Sequence, residues 1–185
     1  VYRSIGKASY GLVSVIAYLL IFSSTAAASS QVILQPSSRV VSAGNTVDLN
    51  VFVVPDTEIA GVQFDLEFDS SVLQVTNVTE GDLFKQKQSS RETFFNTSLT
   101  DEGTLKTVYG CILGKGGVST PGVFSTVTLS SNSDVENTSE ICLKNVIISS
   151  PEGNEIEVKE VNTSIKILKT EEQESFLEKF LGLFS

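Results

Sequence analysis

Gly44–Leu83 reads GNTVDLNVFVVPDTEIAGVQFDLEFDSSVLQVTNVTEGDL. Val47, Leu49, Val51 and Val53 fall on one side of an extended chain and Asp48, Asn50 and Phe52 on the other, which is the two-residue period of a half-buried strand. Pro55 ends that strand, because it has no N–H to give to a sheet. After a turn at Asp56–Glu58, a second inward row follows in Val62, Phe64, Leu66 and Phe68. Its outward row, Gln63, Asp65, Glu67 and Asp69, is almost wholly acidic and is expected to point to water. Asp69, Ser70 and Ser71 predict a capped turn, since short oxygen-bearing side chains can satisfy exposed amides.

The same grammar extends outward in both directions. Strands are expected near Gln31–Leu34, Thr93–Thr97, Leu105–Leu113, Val123–Leu129, Ile141–Ile148 and Ile156–Ile167, the last interrupted near Glu160–Asn162 where the alternation changes phase. With the three in the central stretch, the last of them Val72–Val78, this predicts an all-β, two-sheet jelly-roll sandwich of about nine strands over residues 29–168. Gly114–Gly117 (GKGG) lacks the spacing and the helix of a phosphate loop, and reads as a hairpin turn.

The two ends differ from this domain. Arg3 and Lys7 precede an apolar run from Leu12 to Phe22 and an Ala-x-Ala exit at Ala26–Ala28, the pattern of a secretory leader over residues 1–28. The run is shorter than the roughly 20 residues a spanning helix needs. Residues 169–185 hold Phe176, Leu177, Phe180, Leu181 and Phe184 at helical spacing behind Glu171, Glu172 and Glu174, which predicts a short C-terminal amphipathic helix. Three destinations stay open for its apolar face: its own domain, another copy, or a membrane surface.

Composition removes several functions. With no His, Ser-His-Asp and Cys-His nucleophile systems and His-containing zinc sites are excluded. A net charge of −9, two units more negative once the leader's two cations are gone, leaves no basic stripe for nucleic acid. No Asp-x-Asp-x-Asp-Gly calcium loop is present, and neither a metal nor a cofactor is expected. Asp65 and Glu67 lie about 7 Å apart on one strand face, within the range of glycosidase pairs, but alternating acids are the ordinary cover of a solvated sheet, so no enzyme is expected. A sugar site would need aromatic platforms, and Tyr109 with Phe52, Phe84, Phe94 and Phe95 are the candidates. Asn77, Asn96, Asn137 and Asn162 stand in Asn-x-Ser/Thr sequons, and fit a glycosylated secreted chain.

The order of motifs resembles the cohesin family. The elements that carry the likeness are Gly44–Val47, the Ile59–Gly61 turn, Phe64–Asp69, Val72 with Leu73, Gly81–Phe84, GTLK at Gly103–Lys106, GVFSTVTL at Gly122–Leu129 and GNEIEV at Gly153–Val158. The resemblance implies a non-catalytic module, secreted or at the extracellular cell surface, within polysaccharide catabolism. A first residue Val in a chain without Met suggests a prokaryotic gene with an alternative start codon. Its partner would be a dockerin-bearing protein, with the calcium carried by the dockerin. Carbohydrate-binding modules share the architecture, so direct polysaccharide binding or a surface adhesion role stands as the alternative. The family places its partner on a flat sheet face, here Gly61, Gln63, Asp65 and Glu67, with Lys106 on a second strand of the same face. Gly61 and Gln63 stand where many members carry Asn and Asp, a departure that bears on which partner is chosen. Phe84, inside the Gly-Asp-Leu-Phe motif, is expected in the core. Cys111 and Cys142 are an even pair in a secreted chain, which by default suggests a disulfide. The family's topology sets the 62–68 strand between them, about 9.5 Å of separation, against the roughly 7 Å a bridge permits. Two free thiols are therefore expected.

Overall fold

Val47, Leu49, Val51 and Val53 are all buried along one side of their strand, and Val62, Phe64 and Leu66 along the next, so the alternation of the central stretch is the interior of the molecule. The computed structural model describes residues 29–86, 92–98, 100–101, 103–132 and 136–169. All regular structure among them is strand. In chain order the strands are β1 (Ser30–Pro36), β2 (Val40–Ser42), β3 (Thr46–Val54), β4 (Gly61–Glu67), β5 (Leu73–Glu80), β6 (Thr93–Thr97), β7 (Thr100–Asp101), β8 (Thr104–Ile112), β9 (Gly122–Ser131), β10 (Asn137–Ser149), β11 (Glu155–Ile156), β12 (Val158–Val161) and β13 (Thr163–Leu168).

Two sheets share the buried core. One runs β12-β1-β3-β9-β5; the other runs β2-β13-β10-β4-β8-β6, with β11 beside β10 and β7 beside β8. The sandwich is as expected, but it has more strands than nine. β2, β7 and β11 are two or three residues long, too short for an alternation to show. The expected Ile156–Ile167 strand splits because the chain crosses between the sheets twice, at Glu157 from β11 to β12 and at Asn162 from β12 to β13, the second within the interruption expected at Glu160–Asn162. The chain's first strands make the same crossing, and the pairs β1/β12 and β2/β13 are parallel while the other pairings are antiparallel.

GKGG is not a hairpin. β8 and the following β9 belong to different sheets, and the intervening loop is held by an isolated bridge between Ile59 and Val118 and by the Gly117 N–H donating to Glu58 Oε1 at 2.8 Å. The capped turn at Asp69 forms as expected: its Oδ1 accepts from the Ser71 N–H at 2.9 Å and from the Ser71 hydroxyl at 2.6 Å. These two bonds hold the Asp69 carboxyl below its ordinary range.

Gly81–Phe84 closes one end of the sandwich. The Gly81 and Leu83 amides donate to Phe124 and Val123 carbonyls at 2.8 Å, and Leu83 and Phe84 are buried, as expected for Phe84. Phe124, on β9 of the five-stranded sheet, meets Phe64, Phe84 and Phe95 edge-on at 6.1, 5.9 and 5.7 Å between centroids. Such T-shaped contacts add to the burial of the rings themselves.

Cys111 lies opposite Gly61 and Cys142 opposite Glu67, on either side of β4 and six residues apart along it, or about 20 Å. Both thiols are free. The expected leader over 1–28 and the amphipathic helix beyond Lys169 lie outside the described residues.

Candidate recognition face

Four strands, β10, β4, β8 and β6, lie side by side, and their registers lay out the outer face in rows. Ser149, Gly61, Cys111 and Phe94 form the first row, and Ile147, Gln63, Tyr109 and Asn96 the second. Lys144 and Asp65 meet in the third, opposite the Lys106–Thr107 step of β8, and Cys142, Glu67 and Thr104 form the fourth. The five residues expected on this face, Gly61, Gln63, Asp65, Glu67 and Lys106, are thus brought together.

Their characters differ. Gly61 is buried, and a Cβ placed on it would come within 2.5 Å of Ser149 Oγ, so its value lies in the close approach of β10 rather than in a side chain. Gln63 is half-buried and central. Glu67 is exposed and sits 3.7 Å from Lys144 Nζ. An exposed pair of that kind contributes about 0–1 kcal/mol.

Asp65 departs from the expectation of a side chain free in water. It is half-buried, its Oδ1 accepts from the Thr107 N–H at 2.7 Å, and its Oδ2 accepts from Asn145 Nδ2 at 2.7 Å. Both partners carry positive φ, 53° at Thr107 and 49° at Asn145, a region non-glycine residues enter rarely. Reversing this charge would therefore disturb the sheet as well as the surface.

Of the apolar part of the face, Tyr109 and Phe94 were expected only as candidate sugar platforms, and Ile147 was not expected at all. Ile147 and Phe94 are 41% and 42% exposed, and Phe94 packs on the Tyr109 ring at 5.6 Å with the planes tilted by 43°. Asn96 Nδ2 donates to Tyr109 Oη at 3.2 Å. Ile147, Gln63 and Tyr109 thus form a strip across three strands, continued by Phe94 and bordered by Lys144, Glu67 and Lys106. Farther out, Arg39, Glu140, Cys142, Asn162, Thr163 and Ser164 line an open groove of about 360 Å³ between β10 and β13. No group of acidic, Cys or His side chains among the described residues is arranged to hold a metal ion. The sequon asparagines Asn77, Asn96, Asn137 and Asn162 are all exposed, Asn96 on the face itself and Asn162 with its Oδ1 accepting from the Leu143 N–H at 2.9 Å.

A flat sheet face with an apolar centre and a charged border, carried on a two-sheet sandwich, is the build of a protein-binding module. The chain belongs to the cohesin domain family, whose model matches residues 31–167. Among solved structures it is similar to the non-cellulosomal cohesin of Archaeoglobus fulgidus, at 19% identity over 80% of this chain and 98% of that one, with a TM-score of 0.61. A type I cohesin–dockerin complex of Clostridium thermocellum gives 19%, 80%, 98% and 0.62 in the same terms. The cohesin module of a Clostridium perfringens family 33 glycoside hydrolase gives 13%, 76%, 98% and 0.59. At these identities the likeness is one of fold. No curated protein sequence matches the chain.

Proposed function

We propose that the outer face of β10, β4, β8 and β6 binds the dockerin module of a partner protein and so attaches that protein to an extracellular assembly or cell surface. The observation that carries this reading is the Ile147–Gln63–Tyr109 strip with Phe94 beside it, apolar area left exposed on an open sheet in a family of non-catalytic binding modules. Aromatic and aliphatic side chains at the centre of a face, ringed by polar groups, are where binding energy concentrates in protein interfaces. The calcium of the complex belongs to the dockerin. Export rests on the leader pattern of residues 1–28. A glycan on Asn77, across the sandwich on β5, would leave the face open, whereas one on Asn96 would cover it.

Direct polysaccharide binding would draw on the same Phe94–Tyr109 pair. Rings tilted by 43° offer a poor platform for a flat pyranose, so the protein partner is the better fit. Calorimetry of the domain against calcium-loaded dockerin modules from the same genome tests the reading, with soluble glucans and xylans in parallel. Binding to a dockerin that disappears on chelation is the expected result. Failure of every dockerin in calcium, or heat evolved only with a polysaccharide, would overturn it.

A further inference from the structure

Two tetrapeptides of the same form flank Asp65 across the sheet. Leu105-Lys106-Thr107-Val108 lies on β8 and Leu143-Lys144-Asn145-Val146 on β10, and both leucines pair with Leu66 of β4. In each, the pairing with β4 slips: β10 passes from Lys144 opposite Asp65 to Ile147 opposite Gln63, and β8 from Leu105 opposite Leu66 to Val108 opposite Phe64. An extra residue is accommodated on both sides of β4 at adjacent levels, across Phe64 in β10 and across Asp65 in β8, which is a bulge in each neighbour.

The slip decides which side chains face out. In β8, Leu105 and Val108 are both buried although they are three apart, and in β10 the same holds for Leu143 and Val146. Had the alternation run on unbroken from either leucine, Tyr109 and Ile147 would point into the core. Among the described residues, Thr107 and Asn145 are the non-glycine positions with positive φ, and each is tied to one oxygen of the same carboxylate.

We propose that the Asp65 carboxylate is a positioning residue, a clamp that holds both bulges and thereby turns Tyr109 and Ile147 onto the recognition face. For its effect on binding this rests on the dockerin reading above. Asp65 acts through the backbone of its neighbours rather than by touching the partner.

The test compares Asp65→Ala in two backgrounds, the natural chain and Thr107→Gly with Asn145→Gly, because glycine adopts positive φ without help. Three quantities are read: the carbon chemical shifts at positions 107 and 145, the thermal midpoint, and the affinity for the tightest-binding calcium-loaded dockerin from the calorimetry. In the natural background Asp65→Ala should abolish the left-handed shifts, lower the midpoint by about 4 °C or more, and weaken binding at least about tenfold. Asp65→Asn, which keeps one acceptor oxygen, should fall between, and serves if the alanine variant does not fold. In the glycine background the same alanine change should cost less than about threefold in affinity. Shifts and midpoint unchanged by Asp65→Ala would overturn the clamp. A full tenfold loss that persists in the glycine background, with the shifts retained, would show direct contact instead. Should no dockerin bind, the functional reading fails, while the shifts and the midpoint still decide the clamp.

Discussion

Ile147 is 41% exposed in the middle of a sheet whose other face is core, between Gln63 and the bulge at Asn145. A branched apolar side chain in that place gains little for the isolated domain, and replacing it should leave the fold alone. Ile147→Asp is expected to weaken dockerin binding at least tenfold, about 1.4 kcal/mol, in calorimetry, with an unchanged thermal midpoint. The charges nearby should matter less. Glu67 already has Lys144 beside it and the oxygens of Asp65 are engaged within the sheet, so raising salt should change the affinity by less than about threefold. At Asp69 the folded chain holds the carboxyl below its ordinary value through Ser71. A carboxyl depressed in the folded state stabilises that state above its ordinary range and loses the contribution as pH falls through its folded value. Ser71→Ala should therefore raise the Asp69 pKa in a carboxylate NMR titration and move the onset of acid unfolding slightly upward in pH.

At the level of strands, most of the fold was written in alternation, and the exceptions have physical causes. β3 and β4 alternate without interruption, so their inward rows and the outward Gln63 and Glu67 could be read directly. β8 and β10 carry a phase slip, visible in the sequence as apolar residues three apart, and a third slip separates Val75 from Val78 on β5, where the register also shifts. Strict alternation cannot assign the outer side beyond such a slip, which is why Tyr109 and Ile147 joined Phe94, on the unbroken β6, in one strip only once the neighbouring strands were known. The aromatic junction was hidden for a related reason: Phe64, Phe84, Phe95 and Phe124 come from four separate segments, joined only by topology. Phe124 is the member common to all three contacts and is 1% exposed. Phe124→Ala should cost about 3–5 kcal/mol, measured by chemical denaturation, and should loosen both sheets together.

For the molecule as a whole, the governing feature is the way the first and last strands of the described sandwich meet. The ribbon β1–β2 and the ribbon β12–β13 run side by side in parallel and cross between the sheets together, Ser30 pairing with Val158 at one extreme and Ser42 with Leu168 at the other. Ile165 and Ile167 of the last strand are fully buried. A chain ending at Glu157 would lack both the parallel partner of β1, leaving it paired with β3 alone, and these two core residues, and should show no cooperative melting by circular dichroism. Because so many pairings join residues distant in sequence, refolding is expected on the millisecond-to-second scale of all-β domains rather than the microsecond scale of helical ones, as stopped-flow fluorescence of Tyr109 can determine. The parallel ribbons also govern how the domain responds to tension. When its two ends are drawn apart, neighbouring strands are pulled in opposite senses along their length, so their hydrogen bonds resist together in shear instead of opening one after another like a zipper. A module that tethers a partner would then hold its shape under drag, and single-molecule stretching from the two ends should meet a higher rupture force than stretching across the edge at β5 or β6.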